Sequence, residues 1–399
     1  MKILALTWKH PLDPTAGGAE RYLMEVTRRW ADDGHGVTIF GPRNPGARGL
    51  TSAGEHPGLE YLARGSRWTV FRAAHQYLRH HGHEYDRVLE TVSTRPFAAH
   101  SIVGHKAVAL YHQTAEEVWN LEFPRPLAIW GRHLLEPSWI RRMRTAQVVA
   151  NSPSTAAALA RFGVVCGAVV PPGCWVPAAV TPRPGPSRHP RLLWVGRMVR
   201  TKRPEDALSA YGLVRERLPG TSLDMVGSGY LLAQLAALDS CGVTIHGCVS
   251  EQAKRALMAR ADVLLLPGTR EGWGIVAMEA AAHGVPVVAY DIPGLRDAVV
   301  DGVTGILVPP NPTALGLAAA SLLKDSALWR RLSTAASQRA QEFRWDRASQ
   351  DLLRALSHPT TPAAGLTASG CDPRAPRQAT TAPLSSLPSP SEPHAQEVP

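Results

Sequence analysis

The run from 267 to 293 reads PGTREGWGIVAMEAAAHGVPVVAYDIP and carries two carboxylates, Glu271 and Glu279, with seven residues between them. The apolar stretch ending at Leu266 predicts a strand, Gly272 and Gly274 mark a loop, and a helical pattern from Ile275 to Ala282 ends at Gly284. Ligands of open parallel sheets sit at the carboxyl ends of strands, so this loop should face a crevice. Glu271 lies in the loop. Glu279 lies about one turn into the helix, where its side chain leans back toward the helix start, so both reach one ligand. A carboxylate accepts two hydrogen bonds at once and suits vicinal hydroxyls. The free N–H groups of a helix start suit a phosphate.

A second group lies upstream. Residues 193–202 read LWVGRMVRTK, a strand ending at Gly196 and followed by Arg197 and Lys202. Two cations after a strand can offset the charge that builds on a departing phosphate. Near the N-terminus, Gly17 and Gly18 follow an apolar run; glycines there let backbone N–H groups approach a phosphate or sugar. His112 follows the strand pattern 107–111, at a carboxyl end.

These residues need a scaffold, and the hydrophobic pattern supplies one. Strand signals at 2–8 and 37–40 flank a helical pattern at 19–32, which is the start of a parallel α/β sheet. Later signals fall at 87–89, 107–111 and 147–150, with Ser152 as helix cap and Pro153 at the first helical position. A Pro- and Arg-rich stretch over 177–190 has no periodicity and predicts a linker. A second series follows, with strands at 192–195, 222–226, 243–246, 263–266 and 285–289, helices at 204–218 and 251–259 between them, and a last helix at 344–356. From Pro359 to Pro399 large apolar residues nearly vanish, which predicts a disordered tail.

Composition narrows the classes. At 399 residues and 44% hydrophobic, the chain suits two globular domains. The formal charge of +10 favours anionic partners without choosing among phosphates, nucleic acid and acidic membranes. The five cysteines lack C-x-x-C spacing and read as reduced thiols. No apolar run approaches the ~20 residues of a membrane span. There is neither a G-x-x-x-x-G-K nor a D-x-D, which argues against P-loop kinases and metal-bound transferases.

The segment EGWGIVAMEAAAHGVPVVA resembles the E-x7-E signature of the family 4 retaining glycosyltransferases, with both glutamates, the flanking glycines, the small-residue helix and the G-x-P-V-V exit. The loop at Gly17, Gly18 and Glu20 is similar to that family's G-G-x-E loop, and Phe343-Arg344-Trp345 to its F-x-W entry into a terminal helix. The resemblance implies an α/β chain of GT-B fold, with two Rossmann-like domains facing a cleft. The expected layout is an acceptor-binding domain over 1–176, a linker over 177–190, a nucleotide-sugar-binding domain over 191–343, a helix over 344–357 returning to the first domain, and a tail over 358–399.

By the same resemblance, Glu279 should bind ribose hydroxyls, Glu271 the donor sugar, Arg197 and Lys202 the donor diphosphate, and His112 the sugar near its reacting carbon. Gly17, Gly18, Gly196, Gly272, Trp273, Gly274 and Ile275 should line the donor site, Trp273 standing where Phe is usual. The implied reaction moves a sugar with retention from a nucleotide-diphosphate sugar to an acceptor hydroxyl, with neither metal nor cofactor, in the cytoplasm or peripherally at the inner membrane face. Gly294-Leu295-Arg296-Asp297 departs from the family's G-G-x-x-E, which puts backbone contacts to the donor there in question. A GT-B epimerase or phosphorylase, or a non-catalytic donor-binding subunit, are the alternatives; the intact set of Arg197, Lys202, Glu271 and Glu279 favours transfer.

The acceptor stays open at this stage. Between 119 and 144 the chain interleaves Trp119, Trp130 and Trp139 with Arg125, Arg132, His133, Arg141, Arg142 and Arg144. Such a stretch suits an anionic membrane carrying a lipid-linked sugar, a phosphorylated or polar small molecule, or a plain solvated helix. Nucleic acid is disfavoured, since no recognition motif is present.

Overall fold

In the computed structural model the described residues are 1–11, 13, 16–43, 56–178, 182–238 and 241–358. The tail from 359 on lies outside them, as do positions 179–181 of the linker. Thirteen strands among the described residues form two parallel sheets within one compact unit.

The first sheet contains β1 (Lys2–Leu6), β2 (Gly36–Gly41), β3 (Leu59–Ala63), β4 (Arg87–Val92), β5 (Ala107–Tyr111), β6 (Gln147–Ala150) and β7 (Cys166–Val169), in the order β3-β2-β1-β4-β5-β6-β7. The second contains β8 (Arg191–Val195), β9 (Ser222–Val226), β10 (Val243–Gly247), β11 (Val263–Leu266), β12 (Val287–Tyr290) and β13 (Gly305–Val308), in the order β10-β9-β8-β11-β12-β13. Strand order reverses between β1 and β4 in one sheet and between β8 and β11 in the other. Crevices open at such reversals, at the carboxyl ends of the strands. The Gly17 loop follows β1, and the Arg197–Lys202 and Glu271 segments follow β8 and β11.

Central strands are apolar on both faces because helices cover both. Ile3, Ala5, Leu89, Val108 and Leu110 pack against Tyr22, Val26 and Trp30 of the helix Gly18–Asp32. Leu192, Leu264, Val287 and Val288 form the core of the second half with Trp194 and Trp329. Fully burying one such aliphatic side chain contributes ~1.5–3 kcal/mol.

The chain crosses between the halves twice, and the crossings touch. Cys174 N donates to Phe343 O at 2.7 Å, and a Cβ on Gly173 would collide with the Trp345 backbone. Beyond that point the helix Trp345–Ser357 packs on the N-terminal half. Trp345, Ala348, Leu352 and Leu356 join its core, and Trp30 Nε1 donates to Ser349 O at 3.1 Å.

Candidate active site

The loop after β8 is held from below by glycine. Gly196 N donates to Val226 O at 3.0 Å, and Met198 N to Ser228 O at 2.9 Å. Side chains at Gly227 (φ +133°) or Gly229 would run into the backbone of Gly196 or Met198. The Gly227-Ser228-Gly229 turn is thus a buttress that fixes the cation loop. Lys202 ends a short turn, Arg200–Lys202, and its ammonium pairs with the Glu271 carboxylate. Arg197 is exposed. Burial lowers the Lys9 ammonium below its ordinary range; Glu20 opposes this, while the charge of Arg197, across from Lys9, lowers it further.

The loop after β11 threads between backbones. A side chain at Gly272 would strike the His112 carbonyl and the Asn151 amide, and one at Gly294 (φ +84°) the Glu271 carbonyl. Gly274, at φ +95°, turns the chain into the helix Ile275–Ala282. In the left-handed region only glycine is unstrained. Trp273 is buried in the C-terminal core, its ring 5.1 Å from that of Phe343, so only its backbone is left for a ligand. Ile275 touches the space above Gly18, which brings the two expected glycine loops face to face.

Glu279 is buried at 4% exposure, and one oxygen takes both local cations. Arg21, from the opposite half, pairs with its Oε1, and Lys254 Nζ lies 3.0 Å from the same atom. Both cations also reach Glu251, at 3.1 and 3.0 Å. The other oxygen, Oε2, is buried without a protein partner. His112 is buried too. Its Nε2 has no protein partner, its ring stands edge-on to Tyr22 at 5.7 Å, and burial pushes its pKa down to about 3. The imidazole is therefore neutral at physiological pH: it can donate or accept one hydrogen bond at each nitrogen, but it is no reservoir of positive charge.

Gly17 and Gly18 open the helix Gly18–Asp32, where Gly17 N donates to Glu20 Oε2 at 2.7 Å. Glu20 thus makes the N3-to-N-cap half of a capping box and holds the glycine turn in place.

Sequence reasoning missed the residues that tie the halves together. Arg270 is buried, and it donates from Nε to Thr114 O at 2.5 Å and from Nη2 to the Thr114 hydroxyl, and pairs with Glu116 and Glu117 at 3.0 and 3.1 Å. Glu122 accepts from Thr201 N at 3.3 Å and from the Tyr230 hydroxyl at 2.8 Å. Asp297 accepts from Ser154 N at 3.0 Å, at the start of the helix Pro153–Ala160. The Asp that breaks the family pattern is thus a tie across the cleft. Arg21 and Lys254 gave no signal either, because ion pairs to Glu279 from residues 258 and 25 positions away leave no local pattern.

The whole arrangement defines a sugar-transfer enzyme built from two facing sheets. The model for glycosyl transferases group 1 matches residues 182–339, and that for glycosyltransferase family 4 matches residues 16–174. The chain belongs to the family 4 type of GT-B glycosyltransferases. It is 29% identical over 391 residues to a glycogen synthase of Mycobacterium tuberculosis, spanning 86% of this chain and 92% of that protein. The sucrose-phosphate synthase of Thermosynechococcus elongatus shares the fold at TM-score 0.71 and 22% identity, over 89% of this chain and 98% of that one. HepE of Anabaena, solved with UDP and glucose, shares it at TM-score 0.67 and 19% identity, over 90% and 99%. Among the described residues, no helix is long and apolar enough to cross a membrane.

Proposed function

We propose that this enzyme moves a sugar, with retention of configuration and without a metal ion, from a nucleotide-diphosphate sugar to a hydroxyl of an acceptor glycan, lipid-linked sugar or small molecule. The observation that carries the reading is the buried, half-satisfied Glu279. A carboxylate oxygen left unpaired in a protein interior costs ~1–3 kcal/mol or more, and two ribose hydroxyls would relieve it. Its neighbours fit the rest of such a donor. The N–H groups opening the helix Ile275–Ala282 and the cations Arg197 and Lys202 suit a diphosphate. Lys202 is held by Glu271; a diphosphate would draw the ammonium away and free the carboxylate for sugar hydroxyls.

In this reading the bond from the anomeric carbon to the phosphate oxygen breaks as the acceptor oxygen attacks from the same face. The acceptor proton passes to a phosphate oxygen of the leaving nucleoside diphosphate. The protein contributes positioning, charge on the phosphate side and exclusion of water. Neutral His112 offers a hydrogen bond near the sugar without adding a proton. What supports metal independence is the pair of cations, Arg197 and Lys202, which can supply the counter-charge on the leaving diphosphate.

The test is turnover of a panel of nucleotide-diphosphate sugars, read as free nucleoside diphosphate, with and without excess EDTA. Equal turnover in both is expected; activity that EDTA removes and Mg²⁺ or Mn²⁺ restores would overturn the metal-independent reading. Glu279→Gln should weaken binding of the matching nucleoside diphosphate ~10- to 100-fold in calorimetry, the loss typical of a hydrogen bond to a charged group. Unchanged affinity would remove Glu279 from the nucleotide site.

A further inference from the structure

One stretch of the N-terminal half exposes large apolar side chains that no part of the described structure covers. The chain runs as a continuous helical segment through Arg125–Trp130, a wider π turn at Gly131–Leu135, and Glu136–Arg141. Its inner side is fixed. Ala128 and Ile140 are buried, Gly131 lies so close to the Trp119 ring that no side chain fits, and Trp119 Nε1 donates to the buried Glu136 at 2.9 Å. Its outer side carries Ile129, Trp130 and Leu134 at 61%, 52% and 60% exposure, with Phe123 and Leu127 beside them. Leu127, Trp130 and Leu134 follow one another at spacings of three and four along the helical segment and form one stripe, and Phe123, in extended backbone just before the helix, is exposed beside it. A stripe of this kind on a rigid underside is not a core that failed to close.

Charge chooses the occupant. From 123 to 135 there are two arginines and a histidine and no acidic residue, on a chain of net charge +10; Arg125 is exposed, and Arg132 lies 3.6 Å from the partly exposed Glu117. Apolar side chains among cations match the interface of an anionic bilayer, where an amphipathic helix lies in plane with its apolar side among the acyl chains. The structure also sorts the Arg/Trp stretch. Trp119 is buried, while Arg141 stacks on Phe162 and Arg144 caps the Phe162 carbonyl, so those cations serve the fold. Location supplies the function. The stripe continues directly from the helix Glu117–Glu122, whose Glu122 bonds Thr201 and Tyr230 at the rim of the diphosphate loop.

We propose that Phe123, Leu127, Ile129, Trp130 and Leu134, with Arg125 and Arg132, dock the enzyme on an anionic lipid surface, and that its acceptor is a sugar or polyol carried on a lipid. The lipid-borne acceptor rests on the glycosyl-transfer reading of the adjoining cleft; the docking surface does not. The docked face sets the cleft mouth against the bilayer, where the head of a membrane lipid meets the donor while its chains stay in the membrane.

The test is co-sedimentation with vesicles of equal parts phosphatidylglycerol and phosphatidylcholine, and with phosphatidylcholine alone, at low and high salt. Wild type should bind the anionic vesicles and release as salt rises. Ile129→Ser/Trp130→Ser/Leu134→Ser should lose at least ~10-fold in vesicle affinity, as expected for removing buried apolar area. Arg125→Gln/Arg132→Gln, which leaves the apolar stripe in place, should lose about fivefold per charge at low salt and nothing at high salt. Both variants should keep wild-type hydrolysis of the donor in vesicle-free solution. Wild type that ignores anionic vesicles at low salt overturns the proposal, as does equal binding by wild type and the charge variant. So does a wild-type dimer that the triple variant converts to monomer, which would make the stripe a contact between copies. Vesicle binding without turnover of any nucleotide sugar would sink the transfer reading and the lipid acceptor, and leave the docking surface standing.

Discussion

Two buried ionisable side chains of the N-terminal half respond to pH in opposite senses. Glu90, on β4, is buried, and burial raises its pKa from an ordinary 4.5 to about 7, against the pull of the Phe97, Ala98 and Ala99 backbone N–H groups. A folded-state pKa above the unfolded one gives stability that is full below about 4.5 and lost as pH rises through 7. Above that the buried charge costs about 3 kcal/mol, at 1.36 kcal/mol per unit. Glu90→Gln should therefore raise the melting temperature at pH 8 and leave it nearly unchanged at pH 4.5; a gain equal at both values would show that Glu90 does not titrate. His112 runs the other way. Its folded pKa lies below the unfolded 6.5, so its contribution is full above 6.5 and lost as pH falls toward 3. In the proposed mechanism it would act as a neutral hydrogen-bonding group. His112→Gln should lower kcat by about 100-fold, the typical loss of one preorganised hydrogen-bond partner, without removing any inflection in kcat/KM between pH 6 and 7. An inflection there that vanishes in the variant would show the imidazole titrating after all.

At the scale of elements, the sequence placed the interior strands and the edge strand β10, and missed the other three edges. The strands β5, β6 and β11 lie where the apolar runs place them, because interior parallel strands read as near-continuous Val, Leu and Ala, and β9 lies where the alternation SLDMV places it. The strands β3, β7 and β13 went unpredicted, and all three lie at sheet edges. Their sequences, LEYLA, CGAV and GILV, are short and include half-exposed positions, so no run stands out from loop. The site divides in the same way. Glu271, Glu279 and the cation loop were legible because one element after another presents them at fixed spacing. The ties across the cleft were not, since each pairs residues far apart in the chain. Arg270 shows the cost of that blindness: it sits one position before Glu271 and anchors that loop to the Thr114–Glu117 turn. Arg270→Met should lower the melting temperature, but by less than the ~3–5 kcal/mol of breaking a buried pair, because Glu116 keeps Arg161 and the partly exposed Glu117 keeps Arg132 at 3.6 Å. Arg270→Lys should rescue little, because an ammonium has three donors on a single nitrogen and no planar fork to span the four acceptors on Thr114, Glu116 and Glu117. Full stability of Arg270→Lys would show that only the charge matters.

Over the whole molecule, the described chain passes between the halves through the paired crossings at Gly173–Cys174 and Phe343–Trp345, while the helix Trp345–Ser357 stays bound to the N-terminal core. Apart from Ile275, which packs on the N-terminal core, the ties described across the cleft near the donor loops are polar: Arg21 to Glu279 and Glu251, Arg270 to Thr114, Glu116 and Glu117, Glu122 to Thr201 and Tyr230, and Asp297 to Ser154 N. An interface held by ion pairs opens at a lower cost than one held by apolar packing, because water replaces each lost bond. A donor has to enter between those ties, and Arg21 grips the carboxylate assigned here to the ribose. Opening must therefore release Arg21 from Glu279, and closing must return the loops to His112. The double variant Arg21→Ala/Arg270→Ala removes two of these ties, and neither substitution touches the crossings or the sheets. Small-angle scattering should show a larger radius of gyration than wild type, and raised salt should move wild type toward the variant, since screening weakens the same pairs. Donor KM should rise more than kcat falls, because closure around the nucleotide is lost before the chemistry is. Superimposable scattering curves for the two proteins at low salt would mean that the crossings alone hold the halves together, and that these ion pairs do not govern the cleft.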